Sequence, residues 1–216
     1  MPHLLHIDSS ASPSSTSREL ADAFRTVWTQ ENPQGIVTYR DLSAAPVPHL
    51  TTAGVSAGFT PAETHSQELR DATRLREELI EELLAADTVL VSTPMYNWSI
   101  PSTLKAWIDQ VVVSNRTITI DGSPGPLAGR AATIVASYGG GYMPGTPREG
   151  ADHCTPYLQT VFGMGFGMQV EVITAQLSFA FRVPAMADLR GVAEQSRAAA
   201  FAAVENRARK LAAVRA

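Results

Sequence analysis

The chain has 216 residues, 44% of them hydrophobic, and a formal charge of -4 from 17 Lys and Arg against 21 Asp and Glu. That is enough chain for one α/β domain with a full core, and no Ser/Gly linker or charge block divides it, so one domain over 1–216 is expected. No Lys/Arg cluster is interleaved with aromatics, which argues against a nucleic-acid partner. No apolar run reaches membrane-spanning length, the start MPHLLHIDSS lacks the features of a signal peptide, and Cys154 has no second cysteine to pair with. The expectation is a soluble, cytoplasmic protein without nucleic-acid or membrane partners.

His3 to Ile7 (HLLHI) reads as a first strand ending at Asp8. Residues 8 to 17, DSSASPSSTS, are nearly all small, mostly with hydroxyls, and Leu20, Phe24, Val27 and Trp28 then recur at helical spacing. Thr16 and Glu19 fit a capping box, which predicts a helix from about Ser17. A helix rising from such a loop presents free N–H groups and the positive end of its dipole. With the hydroxyls of Ser10, Ser15, Thr16 and Ser17, the loop is either a phosphate cradle or an ordinary serine-rich turn with an N-cap. It contains no glycine, so neither the GxxxxGK[ST] nor the GxGxxG pattern applies.

Gly35 to Arg40 predicts a second strand, and Asp41 to His65 a long connection with few periodic apolar residues, a length that usually marks function or an interface. Ser66 to Ala86 is a helix with Leu75, Leu79 and Leu83 on one stripe and its charges on a solvated face. Thr88 to Ser92 (TVLVS) suits a strand buried on both faces, stopped by Pro94. After Pro101, Leu104, Trp107, Ile108, Val111 and Val112 take helical spacing. Met95, Tyr96, Asn97 and Trp98 therefore form a loop at the carboxyl end of a strand. A thioether, a phenol, an amide and an indole suit a planar heteroaromatic ligand; equally, Tyr96 and Trp98 fit as core aromatics at a strand end.

Residues 115 to 130 are short apolar pieces and turns. Ala131 to Ser137 (AATIVAS) predicts a fourth strand that runs into Tyr138, Gly139, Gly140 and Gly141, glycines that fit either close approach to a ligand or a plain turn. Asp152 would start a helix through Tyr157, Leu158, Val161 and Phe162. Gln169 to Ala175 reads as a fifth strand, and Ala185 to Val214 as a final helix. Alternating strands and helices argue for a doubly wound parallel sheet. Order 2-1-3-4-5 suits five strands with a phosphate loop after the first, and its crevice lies where the loops after strands one, three and four converge. His3, His6, His49 and His65 lack partners at metal-ligand spacing, so no metal is expected. Cys154 reads as a small buried filler, and no G-x-S-x-G turn suggests a hydrolase.

The pattern MYNW-x-x-P-x-x-L-K-x-W-x-D at Met95 to Asp109, the hydroxyl-rich first loop, GPL at Gly125 to Leu127 and S-x-G-G at Ser137 to Gly140 together resemble the FMN-dependent NADH-azoreductase family of flavodoxin-like quinone reductases. The resemblance spans nearly the whole chain. It implies a flavodoxin-like three-layer sandwich in which Ser10, Ser15, Thr16 and Ser17 hold the FMN phosphate. Pro94, Met95, Tyr96, Asn97 and Trp98 would flank the isoalloxazine, and Ser137, Tyr138, Gly139 and Gly140 would meet its pyrimidine side. It also implies a homodimer with the active site at the interface. Departures from the family pattern are Ile118 and Ile120 in place of aromatics, the loosely matching FGMGFGM at Phe162 to Met168, and Tyr138 at an often basic position. Ile118, Ile120 and Phe162 are accordingly candidates for a substrate-facing wall.

Flavin chemistry needs binding, orientation and tuning of the ring, and no catalytic side chain is required. Donors near the ring, expected from the Asn97 and Gly139 region, would favour two-electron transfer. The implied activity is ping-pong transfer from NADH or NADPH to a quinone or azo compound. The alternative is a flavodoxin-type FMN electron carrier; such carriers are usually more acidic and carry a T-x-T-G-x-T loop, absent here.

Overall fold

The computed structural model describes residues 1–213. It begins with β1 (His3–Asp8), α1 (Thr16–Glu31), β2 (Ile36–Asp41), the short α2 (Thr52–Ala57) and α3 (Gln67–Ala85). Then come β3 (Thr88–Pro94), α4 (Ser102–Val111), β4 (Ala131–Ser137), the brief α5 (Thr155–Gln159), β5 (Gln169–Ala175) and α6 (Arg190–Ala213). The strands form one parallel sheet in the order β2-β1-β3-β4-β5, as the sequence predicts.

Alternation along the strands sends side chains to two separate cores. Leu5, Ile7, Val89, Val91, Ile134 and Ala136 pack with Leu79 and Leu83 of α3 and Leu104, Trp107 and Ile108 of α4. On the other face Leu4, Leu90, Val135 and Ile173 pack with Leu20, Phe24 and Trp28 of α1 and Ala200 and Val204 of α6. Helices therefore cover both faces in three layers. All seven positions of β3, at the centre, are buried, which accounts for its mostly apolar and β-branched character.

The observed boundaries differ locally from expectation. Ser15, not Thr16, caps α1: its backbone is extended and its Oγ accepts from the Arg18 N–H at 3.4 Å. Pro94 is the last residue of β3 rather than a stop before it, since its register partner Ser137 needs no N–H from it; Met95 N–H takes the Ser137 carbonyl instead. Residues 41–65 contain α2 and a 3₁₀ turn, Ala62–Thr64. Asp152 accepts from the N–H groups of Cys154 and Thr155, but the helix it starts passes into a π-helical segment, Thr160–Gly165. The last helix opens as a 3₁₀ turn, Pro184–Leu189, before α6, and Val214 lies outside the described residues. Among those residues no helix is long and apolar enough to cross a membrane.

A histidine sits inside the sheet. His6 of β1 is fully buried, its Nε2 is 3.0 Å from Ser92 Oγ, and its Nδ1 has no partner among the described residues. Burial, with the charges of Arg25 and Arg18, lowers its pKa to about 3. In the unfolded chain it titrates near 6.5, so below that pH the unfolded state takes up a proton that the folded state refuses. Stability is therefore complete above pH 6.5 and falls as pH drops towards 3, by at most about 1.4 kcal/mol per pH unit. Urea unfolding at about pH 7.5 and about pH 5 is expected to show this loss, with a shallower slope in His6→Gln.

Candidate functional site

The loop after β1 is shaped from beneath by a buried ionic cluster. Asp8 is the last residue of β1 and fully buried. Its Oδ2 accepts from Arg18 Nε at 2.5 Å and Tyr39 Oη at 3.0 Å, and its Oδ1 from the Ser10 N–H at 3.1 Å. Arg18, on the first turns of α1, also donates to the Ser10 carbonyl (3.0 Å) and to Asp41 Oδ2 (3.1 Å). Burial and the Asp8 charge push the Tyr39 phenol well above its ordinary range, so it stays a donor. With Ser10 drawn inwards at both its N–H and its carbonyl, the loop lines the cleft with Ser12, Ser14, Ser15 and Thr16 at the start of α1, where the first N–H groups of any helix lack internal partners.

The second wall is a tight turn after β3. Tyr96 and Ser99 exchange both backbone hydrogen bonds, at 2.9 and 3.1 Å. Asn97 and Trp98 between them have φ of 49° and 69°, the positive pair of a type I′ turn. Asparagine tolerates that region; for tryptophan it is an unusual conformation. The turn is tied down on both sides: Tyr96 Oη accepts from the Ala11 N–H at 3.2 Å, and the Trp98 carbonyl from the His153 N–H at 3.0 Å. The aromatic turn and the hydroxyl loop are thus joined directly.

The third wall follows β4. Gly139 is crowded by Phe179, whose ring would lie 2.5–2.7 Å from any Cβ placed there. Leu177, at φ 65°, reverses the chain after β5, and the N–H groups of Ser178 and Phe179 bond the carbonyls of Tyr138 and Gly139. Two adjoining hollows result, of about 410 and 350 Å³, sharing Met95, Tyr96, Gly139 and Phe179. The first is lined by Ser10, Ser15, Thr16, Pro94 and Ser137; the second adds Asn97, Trp98 and Gly140.

Most of the residues singled out in the sequence therefore meet in one cleft, but several do not line it. Ser17 is buried behind the loop, its Oγ 2.9 Å from Ser15 Oγ. Tyr138 points into the core, with its phenol on Asp152 and Thr155 at 2.8 and 3.1 Å. Strand parity foretells this, because Ala132, Ile134, Ala136 and Tyr138 share a face. Phe162 is fully buried and stacked on Trp107 at 6.4 Å, so it is no substrate wall; the exposed side chain of that segment is Met164. Ile118 packs partly against the core and Ile120 projects into solvent. Cys154 is buried, and burial with the nearby Asp152 pushes its thiol up to about 12, which leaves it protonated.

Sequence reading misses Ser12, Ser14, Phe179, Phe181, Arg182 and Arg197, all of which line the first hollow. The last four follow β5 or lie on α6, and no local motif marks them. Replacing Asp8 by Asn is expected to lower the unfolding free energy by about 2 to 4 kcal/mol, because the partly buried Arg18 loses the nearer and more deeply buried of its two carboxylate partners. Tyr39→Phe should cost about 1 kcal/mol; urea titration of both variants measures the two effects.

A family model described as flavodoxin-like fold matches residues 2–210. A protein of Frankia casuarinae described as FMN-dependent NADH:quinone oxidoreductase is 47% identical over 209 residues, covering 96% of this chain and 99% of that protein. One of Streptomyces avermitilis with the same description is 46% identical over 214 residues, covering 98% of each chain. Among solved structures, an FMN-dependent NADH-azoreductase of Bacillus anthracis in complex with FMN superposes with a TM-score of 0.81 at 22% identity, covering 98% of this chain and all of that one. A hydroxyl loop, an aromatic turn and a glycine pair meeting at the carboxyl ends of three strands thus agree with likeness along the whole chain, which belongs to the flavodoxin-like family of FMN-dependent NADH:quinone oxidoreductases.

Proposed function

We propose that this protein is an FMN-dependent NAD(P)H oxidoreductase that reduces quinones and azo compounds by two electrons in a ping-pong cycle. The observation that carries this reading is the junction of two unlike surfaces in one cleft. Serine and threonine hydroxyls at the start of α1 adjoin flat contacts from Met95, Tyr96 and Trp98 opposite Gly139. One ligand with a phosphate at one end and a planar ring system at the other matches both.

FMN supplies hydride acceptance and release at its ring, so no nucleophile is needed from the protein. Ser10, Ser15 and Thr16 hold the phosphate, and Ser17 fixes Ser15 from behind. Pro94, Met95, Tyr96, Asn97 and Trp98 flank the ring, while Ser137, Gly139 and Gly140 face its pyrimidine side. Tyr138 contributes by packing rather than contact. The Asp8 and Arg18 cluster holds the cradle in shape, and the hydrogen bond from Ala11 to Tyr96 keeps cradle and ring wall at a fixed separation. Donor and acceptor share one cleft and take turns, with NADH or NADPH as donor.

The chain works in the cytoplasm as a single domain and a homodimer whose active site lies at the interface. Supporting the dimer are large apolar side chains that one copy leaves in water, Phe59 at 89%, Met164 at 81% and Ile120 at 74% exposure. Ile120 and Met164, which do not line their own cleft, would then approach that of the partner. In solution the mass is expected to be twice the 23.1 kDa of one chain, as read by light scattering behind size exclusion.

The activity is tested by anaerobic stopped-flow absorbance of the FMN-loaded protein. NADH is expected to bleach the flavin band rapidly, and a benzoquinone in a second mix to restore it faster than oxygen does. Slow bleaching by both NADH and NADPH would instead identify an electron carrier.

A further inference from the structure

Three arginines border the hydroxyl loop, and two are neutralised. Arg18 turns inwards to Asp8 and Asp41, and Arg197 pairs with Glu19 at 2.7 Å on the rim of the first hollow. Arg182 is different. It closes the 3₁₀ turn Ser178–Phe181 after β5, lines the same hollow, and has no carboxylate partner among the described residues.

Its side chain is nevertheless held in place. Nη2 donates to both the carbonyl and the hydroxyl of Ser14, at 3.1 and 3.0 Å, while Nε and Nη1 have no protein partner among the described residues. The segment that carries it is anchored to the end of β4 through the Ser178 and Phe179 N–H groups, and Val183 N–H closes on the Phe179 carbonyl at 2.7 Å. One edge of the guanidinium is thus spent on the cradle, and the other donors stay available beside it.

A phosphomonoester is close to a dianion at neutral pH. A cradle of hydroxyls and helix N–H groups offers it dipoles but no full charge, and the one acid on the rim, Glu19, is already paired. A planar guanidinium is suited to such a group, because two parallel donors meet two phosphate oxygens. On the reading that this cleft takes FMN, we propose that Arg182 is a phosphate-binding residue: it supplies the cradle's counter-charge and makes the site select the phosphorylated flavin over riboflavin. It reaches the phosphate from the strand farthest from β1 on that side, so binding also ties the β5 exit to the loop after β1.

The test is titration of flavin-free, full-length protein with FMN and with riboflavin, followed by flavin fluorescence, for the wild type and for Arg182→Ala, Arg182→Gln and Arg182→Lys. Arg182→Ala and Arg182→Gln are expected to weaken FMN roughly 10- to 100-fold while changing riboflavin less than about 2-fold. Arg182→Lys keeps the charge and should retain most of the preference. Raising salt should weaken FMN in the wild type more than in Arg182→Gln. Equal losses for both flavins in Gln and Ala would make Arg182 a structural clasp on Ser14 and overturn the proposal, as would unchanged FMN affinity. A wild type that binds neither flavin would instead sink the reading of the cleft itself.

Discussion

Burying a carboxylate at the end of a strand is expensive unless donors surround it. Asp8 occupies that place in β1, and its three donors, Ser10 N–H, Tyr39 Oη and Arg18 Nε, come from the following loop, from β2 and from α1. The arrangement fixes the direction in which the chain leaves the sheet. Because Arg18 also takes the Ser10 carbonyl, Ser10 is held from below at both its N–H and its carbonyl. The course of the loop is therefore set before any ligand arrives, by a pair that never needs to touch one.

Strands and helices were legible because each uses a pattern that physics reads simply. TVLVS is β-branched and apolar between its end hydroxyls because β3 is covered on both faces, and Leu20, Phe24, Val27 and Trp28 recur because α1 has one side to hide. The cleft was legible where its residues are adjacent in sequence, as at Met95 to Trp98. Arg182 was not, since it meets Ser14 across 168 positions of chain and depends on the reversal at Leu177. Tyr138 shows a different kind of miss: its place beside the glycines suggests contact with a ligand, yet its parity with Ala136 sends it inwards. Phe162 repeats the lesson on a helix, being one turn beyond the buried Leu158. A π-helical segment, which inserts an extra residue per turn, then brings Met164 to the surface.

The remaining polar groups divide into those that hold shape and those that face the cleft. The Tyr138, Asp152 and Thr155 cluster anchors the loop ahead of α5, and His153 of that loop in turn holds the Trp98 carbonyl. Packing behind β4 is thereby transmitted to the aromatic turn in front of β3. Apart from the edges supplied by Glu19, Arg182 and Arg197, the first hollow is lined by neutral side chains. This suits chemistry carried by a bound cofactor, for which the protein's task is placement.

The left-handed turn at Asn97 and Trp98 has a consequence for how this wall can change over generations. A side chain branched at Cβ is strongly disfavoured at such φ values, so valine, isoleucine and threonine are effectively barred from position 98. Glycine would remove the strain and the ring together. What remains is a narrow alphabet of unbranched, mostly aromatic or amide side chains. Drift at this position can alter the breadth and polarity of the surface that lines the second hollow, but it preserves a flat or slender profile. The backbone geometry thus acts as a filter on the evolvability of the site.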